Sequence, residues 1–528
     1  MMIPASVRVS LKRYLFEGDM LRLMALTILT KPVGLATQML TASHFGAGAQ
    51  YDAYALTFFL VTCLDNLVGQ SYNTVVLPMV IRMRDVSPRQ AVLRFQNFAA
   101  LIFLIPVVAY MIVLTARGEW ILGLIAPRLP AETAEWALRM IPVMVLPGVG
   151  VMVVTMGKSV LNSNRRYGMA GAMPLLSGVT ILAALALGAR PLGIWCLPLG
   201  FLLAAIVQVS LTFGYAARTG CVAVVRPAAT VAERRQLWDL GGVFLISQVV
   251  LLCGMAADRY FATGLEVGSV SSLAYTASIV NMGTQLFSMS VAVVMFTRMA
   301  EMIAACDMSG CSEFVRANLI RQMRLVVPGS LALSLAAPEI VRVLFQRGAF
   351  NAVDASRTAA VLSIYVLALP GMVANTLVSR MFHALQRIKD RIWLHAVYVL
   401  TLIGCNLALV GALQVKGIAV AATIAINLLL AVSFLTLGAY RQGLRVWRLA
   451  AVVGRAYGCG IVVYLGYRLV GLDDLLASWA PHATLAGSML TGLVKAVFVF
   501  VLYVALYMLL RRRGGPRPTQ ASGFKERR

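Results

Sequence analysis

Two ionisable side chains stand inside long apolar runs near the start of the chain. Lys31 lies in "ILTKPVGLAT" and Asp65 in "LVTCLDNLVGQSYN". A charge in a bilayer core costs a few kcal/mol at least, so such residues usually face a wet cavity or a partner. Lys31, Gly34 and Gln38 follow i, i+3, i+7 and share one helix face. Asp65, Asn66, Gly69, Gln70 and Asn73 form a second polar stripe, and Asn281, Gln285 and Ser288 a third. Asn375, Ser379 and His383 repeat every four residues, and Asp258-Arg259 closes another apolar run. The plainer reading of the neutral stripes is interhelical hydrogen bonding. Charges are costly for packing alone, so Lys31 and Asp65 point to a water-filled cavity between the helices.

Depth brings these two together. Lys31 lies ~13 Å into its span and Asp65 ~12 Å from the same membrane face, at ~1.5 Å per residue. The expectation is that they pair in at least one state and that substrate competes for Lys31. Pro32 removes a helical hydrogen bond and Gly34 follows it, making both candidate hinge positions.

The elements that carry these residues are membrane spans. Of 528 residues 60% are hydrophobic and only 13% charged, against roughly a quarter in soluble proteins, and mean hydropathy is +0.82. The chain is expected to be an all-α polytopic membrane protein of about fourteen transmembrane helices. The net charge of +25 lies mostly in every second loop, on one side of the membrane, which argues against nucleic acid and for both termini in the cytoplasm. The eight cysteines are scattered, with neither metal-ligand spacing nor a disulfide framework.

A faint internal repeat organises the spans. "DAYALTFF" near Tyr54 is similar to "SLAYTASI" near Tyr275, an offset of 275 − 54 = 221. "PLGIWCLPLGFLLAAIV" is similar to "VKGIAVAATIAINLLLAV", matching Gly193 with Gly417 at 224. Six intervening spans preserve orientation, giving two pseudo-symmetric six-helix halves plus two C-terminal helices. The expected division is a lead over 1–20, lobes over 21–216 and 237–440 joined by a basic linker over 217–236, extra helices over 441–510, and a basic tail over 511–528. Two bundles around a cavity is a transporter plan, and no cofactor is called for.

Four segments then resemble one family. "HFGAGAQYDAYALTF", "GKSVLNSNRRYGMAGAMPLLSG", "DRYFATGLEVGSVSSLAY" and "LFQRGAFNAVDASRTAAVLSIYVLALPG" are similar, in order, to the MurJ/MviN lipid II flippases of the multidrug/oligosaccharidyl-lipid/polysaccharide exporter superfamily. The resemblance implies alternating access in a bacterial inner membrane, without bond chemistry. A polyprenyl-diphosphate-linked glycan would place its headgroup in a cationic cavity, and membrane lipid would keep its tail along the C-terminal helices. It implies cavity roles for Lys31, Asp52 and Arg259. It implies a sodium site on Asp258, Asn406 and Thr423, with a coupling cation or the membrane potential as driving force, and cell-envelope synthesis proteins as neighbours. Thr37-Gln38, Asp65-Asn66 and Gln70-Ser71 stand where the family carries arginines and acids. Arginine forks hold a diphosphate at two points and lysine at one. The cargo is therefore lipid II or another lipid-linked saccharide, such as an exopolysaccharide or O-antigen repeat. A cation-coupled multidrug exporter and a non-transporting envelope scaffold are the other readings.

Overall fold

A computed structural model describes residues 5–305, 307–385, 387–439, 446–471 and 485–514. Among them the regular elements are all helices, with no strand. By length and composition ten helical segments can cross a membrane, or eleven if one bent pair is a single span. The pair is α11 (Met308–Leu335) and α12 (Ala337–Phe345), which meet at 71°.

The chain begins with α1 (Ala5–Phe45), α2 (Ala49–Leu64), a π-helical turn over Asp65–Gly69, and α3 (Gln70–Val86). Then come α4 (Arg89–Ala116), the short α5 (Gly118–Ile125), α6 (Ala131–Ser163), α7 (Tyr167–Leu192) and α8 (Cys196–Arg218). The second series is α9 (Val231–Thr263), α10 (Ser269–Ala304), α11, α12, α13 (Ala352–Tyr365), α14 (Leu369–Ala384), α15 (Ile388–Leu413) and α16 (Val415–Ala439). Two further helices, α17 (Val446–Val470) and α18 (Leu485–Gly514), close the described chain. Capping boxes start two of these helices: Thr230 with Glu233 at α9, and Asn351 with Asp354 at α13.

The repeat is visible in backbone geometry. α6 spans 33 residues, and so does the run from Ala352 through α14 to Ala384, displaced by 352 − 131 = 221. α7 and α15 are each 26 residues long, displaced by 388 − 167 = 221. Arg166 before α7 has φ −93° and ψ 54°, and Arg387 before α15 has −97° and 52°. The chain then reverses at Gly193 (φ 55°, ψ −139°) and at Gln414 (φ 53°, ψ −137°). The counterpart of Gly193 is thus Gln414 rather than Gly417. Matching glycine to glycine misplaces the register by three residues, because the second copy makes the same turn with glutamine. Each reversal returns an antiparallel hairpin, α7 on α8 and α15 on α16.

Sequence neighbours are not always space neighbours. α1 packs chiefly against α7, whereas α2 packs against α6 and also meets α10. α15 also leans on α9, and α17 and α18 pack on α11.

Candidate functional site

A cavity of about 290 Å³ opens between α1 and α10, lined by Lys31, Gly34 and Gln38 on one side and Ser278, Asn281 and Gln285 on the other. The Lys31 ammonium donates to the Gln285 side-chain oxygen across it. No Asp or Glu lines this cavity among the described residues, so its one cation is directed at polar oxygen. α1 continues unbroken through Pro32. Gly34 has open space where a Cβ would project, so a side chain there would enter the cavity.

Asn281 is also part of the wall of a neighbouring cavity of about 280 Å³, which holds Asp258, Arg259, Tyr365 and Tyr398. Arg259 lies 5.5 Å over the Phe59 ring, a cation–π contact between the two helix series. Asn406 Nδ2 donates to Asp258 Oδ1 at 3.2 Å, while the buried Asn406 Oδ1 has no hydrogen-bond partner. The Thr423 hydroxyl donates along its own helix to Ala419 O at 2.8 Å.

Asp65 does not meet Lys31. It begins the π-helical turn and sits beside Thr155 on α6, and the charge facing it is Lys158 of the same helix. The depth match assumes that consecutive helices touch; α1 has gone to α7 and α2 to α6, which separates the two residues. A π turn re-aims side chains within a helix and is frequent at functional positions. Gln70, one turn on, is exposed. The side chains of Asn66 and Ser288 lie outside the described residues.

Asp52, too, lies away from the α1–α10 cavity. It is 4% exposed and accepts from the backbone N–H groups of Gly268 and Ser271, both at 2.7 Å, and from the Ser271 hydroxyl. The α2 carboxylate thereby caps the N-terminus of α10, where orphan N–H groups and the helix dipole favour an anion. Around it one end of the molecule is shut. The Tyr275 hydroxyl donates to Gly46 O at 2.9 Å, Ala349 N donates to Ser43 O at 2.8 Å, and Tyr51 stacks on Tyr275 at 4.9 Å. Gly46, Gly268 and Gly348 all have positive φ, and a Cβ on any of them would collide with the backbone carbonyl of Ala349, Ala47 or Ser43 respectively. This seal was not apparent from spacing, although its two tyrosine segments were the ones that displayed the repeat.

A third cavity, about 540 Å³, lies between α3 and α14–α16. It is lined by Thr74, Asn375, Ser379 and His383 and by Arg380 and Arg391, two cations that the polar stripe 375–383 did not include.

Two helix series around polar cavities, shut at one end, have the plan of a polytopic helical membrane transporter. A structure described as lipid II flippase MurJ in an inward closed conformation superposes with TM-score 0.75 at 18% identity, over 93% of this chain and 99% of that one. An inward-facing MATE family transporter superposes with TM-score 0.63 at 13% identity, over 82% and 99%. The family model described as lipid II flippase MurJ matches residues 41–490, and the chain belongs to that family. The probable lipid II flippase MurJ of Rhizobium tropici is 25% identical across 94% of this chain and 97% of its own length. Lipid II flippase MurJ of Burkholderia cenocepacia is 21% identical across 69% and 72%.

Proposed function

We propose that this protein flips lipid II across the bacterial inner membrane by alternating access. The carrying observation is the cavity between α1 and α10, whose ammonium lies beneath a sealed end. The headgroup of lipid II carries a diphosphate, an acceptor-rich dianion that Lys31 can hold while Gln38, Asn281 and Gln285 take sugar hydroxyls. Releasing Gln285 is what binding would require of Lys31. No bond is made or broken, so the cycle is transport and not catalysis.

The same reading assigns fourteen spans. Tyr167–Arg218 is one apolar stretch of 52 residues that folds back at Gly193, long enough at ~1.5 Å per residue to cross a ~30 Å core twice. α1 with 41 residues and α10 with 36 supply two more, and α11–α12 one. The repeat of α6–α8 by α13–α16 supports two six-helix lobes with α17 and α18 added. The basic loops 82–94, 158–166 and 387–391 would then be cytoplasmic, with both termini, and the sealed end would face outward. Asp258, Asn406 and Thr423 would hold a coupling monovalent cation, which the partnerless buried Asn406 oxygen fits. Such a cation would lend its binding energy to one of the two states.

Complementation tests the reading. Expression in a strain depleted of its lipid II flippase should restore growth, and Lys31→Ala should not. If the wild-type chain fails while loss of its gene removes a surface polysaccharide, the cargo is another lipid-linked glycan.

A further inference from the structure

The third cavity has the makings of an anion site. Arg380 of α14 and Arg391 of α15 both line it, with His383, Asn375 and Ser379 from the same wall and Thr74 from α3 opposite. No carboxylate lines it among the described residues. Arg391 is braced from behind: its Nη2 donates to His395 Nε2 at 2.8 Å, and His395 Nδ1 hydrogen-bonds the Ser247 hydroxyl at 2.8 Å. Since a guanidinium only donates, His395 Nε2 must accept, which puts the ring proton on Nδ1, aimed at Ser247. His395 is 6% exposed, so this chain fixes the guanidinium from inside the protein.

The fold does not demand the cluster. Under the 221-residue repeat, Arg380, His383, Arg391 and His395 fall on Ser159, Asn162, Ala170 and Pro174 (380 − 221 = 159). The first copy builds the same backbone with none of these groups. A feature present in one copy and dispensable for its architecture calls for another explanation.

Its place along the membrane normal supplies one. Arg380 lies 380 − 352 = 28 residues along a helical run that starts at the sealed end, ~40 Å away at ~1.5 Å per residue. Lys31 lies 45 − 31 = 14 residues from the same end on α1, ~20 Å away. The arginine cavity is therefore at the far mouth, at the level of lipid phosphates, and Lys31 is halfway through. Because α3 forms its opposite wall, the cavity faces the gap between the two helix series rather than the open lipid surface.

We infer that the Arg380–Arg391 cavity binds the diphosphate of a polyprenyl-diphosphate lipid at the mouth, as a loading site occupied before the Lys31 cavity. This rests on the flippase reading for its cargo. Two guanidinium forks can take two phosphoryl groups at once, where the single ammonium of Lys31 takes one. Loading is thus tight at the mouth, and the charge contact thins toward the middle.

The test uses the full chain in phosphatidylcholine nanodiscs, with inorganic diphosphate titrated by calorimetry and undecaprenyl diphosphate by competition. Wild type should bind both. Arg380→Gln and Arg391→Gln should each weaken both about 10-fold, the scale of one lost charge-assisted contact, and Lys31→Gln should weaken inorganic diphosphate binding less than either. Arg391→Lys, which keeps the charge, should fall between and guards against misfolding. Equal binding by wild type and both glutamine variants overturns the site, as does an effect seen only with phosphatidylglycerol in the disc, which would assign it to bulk lipid. Complementation without any arginine effect removes the loading site and keeps the flippase. Arginine-dependent binding without complementation keeps the anion site and removes the flippase.

Discussion

Lys495 Nζ donates to Glu339 Oε1 at 2.8 Å, with side chains only 7% and 9% exposed, and this buried ion pair joins α18 to α12. Desolvating two charges costs several kcal/mol each, so the pair adds little net stability, yet breaking it strands a charge. Lys495→Ala should destabilise by about 3–5 kcal/mol, read as a fall in the apparent unfolding temperature in detergent. Lys495→Met with Glu339→Leu should recover most of the loss. A Lys495→Ala protein as stable as wild type would show that α18 is held by apolar packing alone.

The separation of Lys31 from Asp65 gives a second prediction. In a transport assay, Lys31→Ala and Asp65→Ala should combine additively, within about 0.5 kcal/mol as for residues that share no partner. Asp65→Ala and Lys158→Ala should not, because Lys158 is the charge that faces Asp65. Strong coupling in the first cycle would reinstate a Lys31–Asp65 contact in another state.

Asp52 controls the seal. Asp52→Ala orphans the N–H groups of Gly268 and Ser271, each at about 1–3 kcal/mol when buried. The closed state should lose that much relative to the open one. A Gln38→Cys reporter in the α1–α10 cavity should then react faster with an impermeant maleimide applied from outside. Unchanged labelling would sink the assignment of this end as the outer gate.

The two hairpin turns differ in cost. Gln414 holds a backbone conformation that Gly193 adopts freely, so Gln414→Gly should stabilise, or at worst be neutral, by up to about 1 kcal/mol. Gly193→Gln should destabilise by about as much. Thermal unfolding of the two variants checks both signs at once.

The helical membrane spans were legible because hydropathy is a local property. The spacing of Lys31, Gly34 and Gln38 placed three residues on one face, and they line one cavity. What failed depended on which helices touch. Depth along a span can be counted from the sequence, but rotation and neighbours cannot, so in this state Asp65 faces Lys158 rather than Lys31 and Asp52 caps α10. The Asn375–Ser379–His383 stripe was visible, whereas Arg380 was passed over and Arg391 read as a topology signal, because basic residues near a loop have that commoner explanation. The register error at Gly417 arose because residue identity was preserved less faithfully than backbone conformation.

The glycine crossings at the sealed end have one more implication. Where Gly46, Gly268 and Gly348 cross their neighbours there is no room even for a methyl group. Contacts that short vanish once a single water layer intervenes, and they vanish together. The end should behave as a two-position shutter rather than a graded valve, with no leaky halfway setting through which ions could escape while a bulky headgroup is in transit.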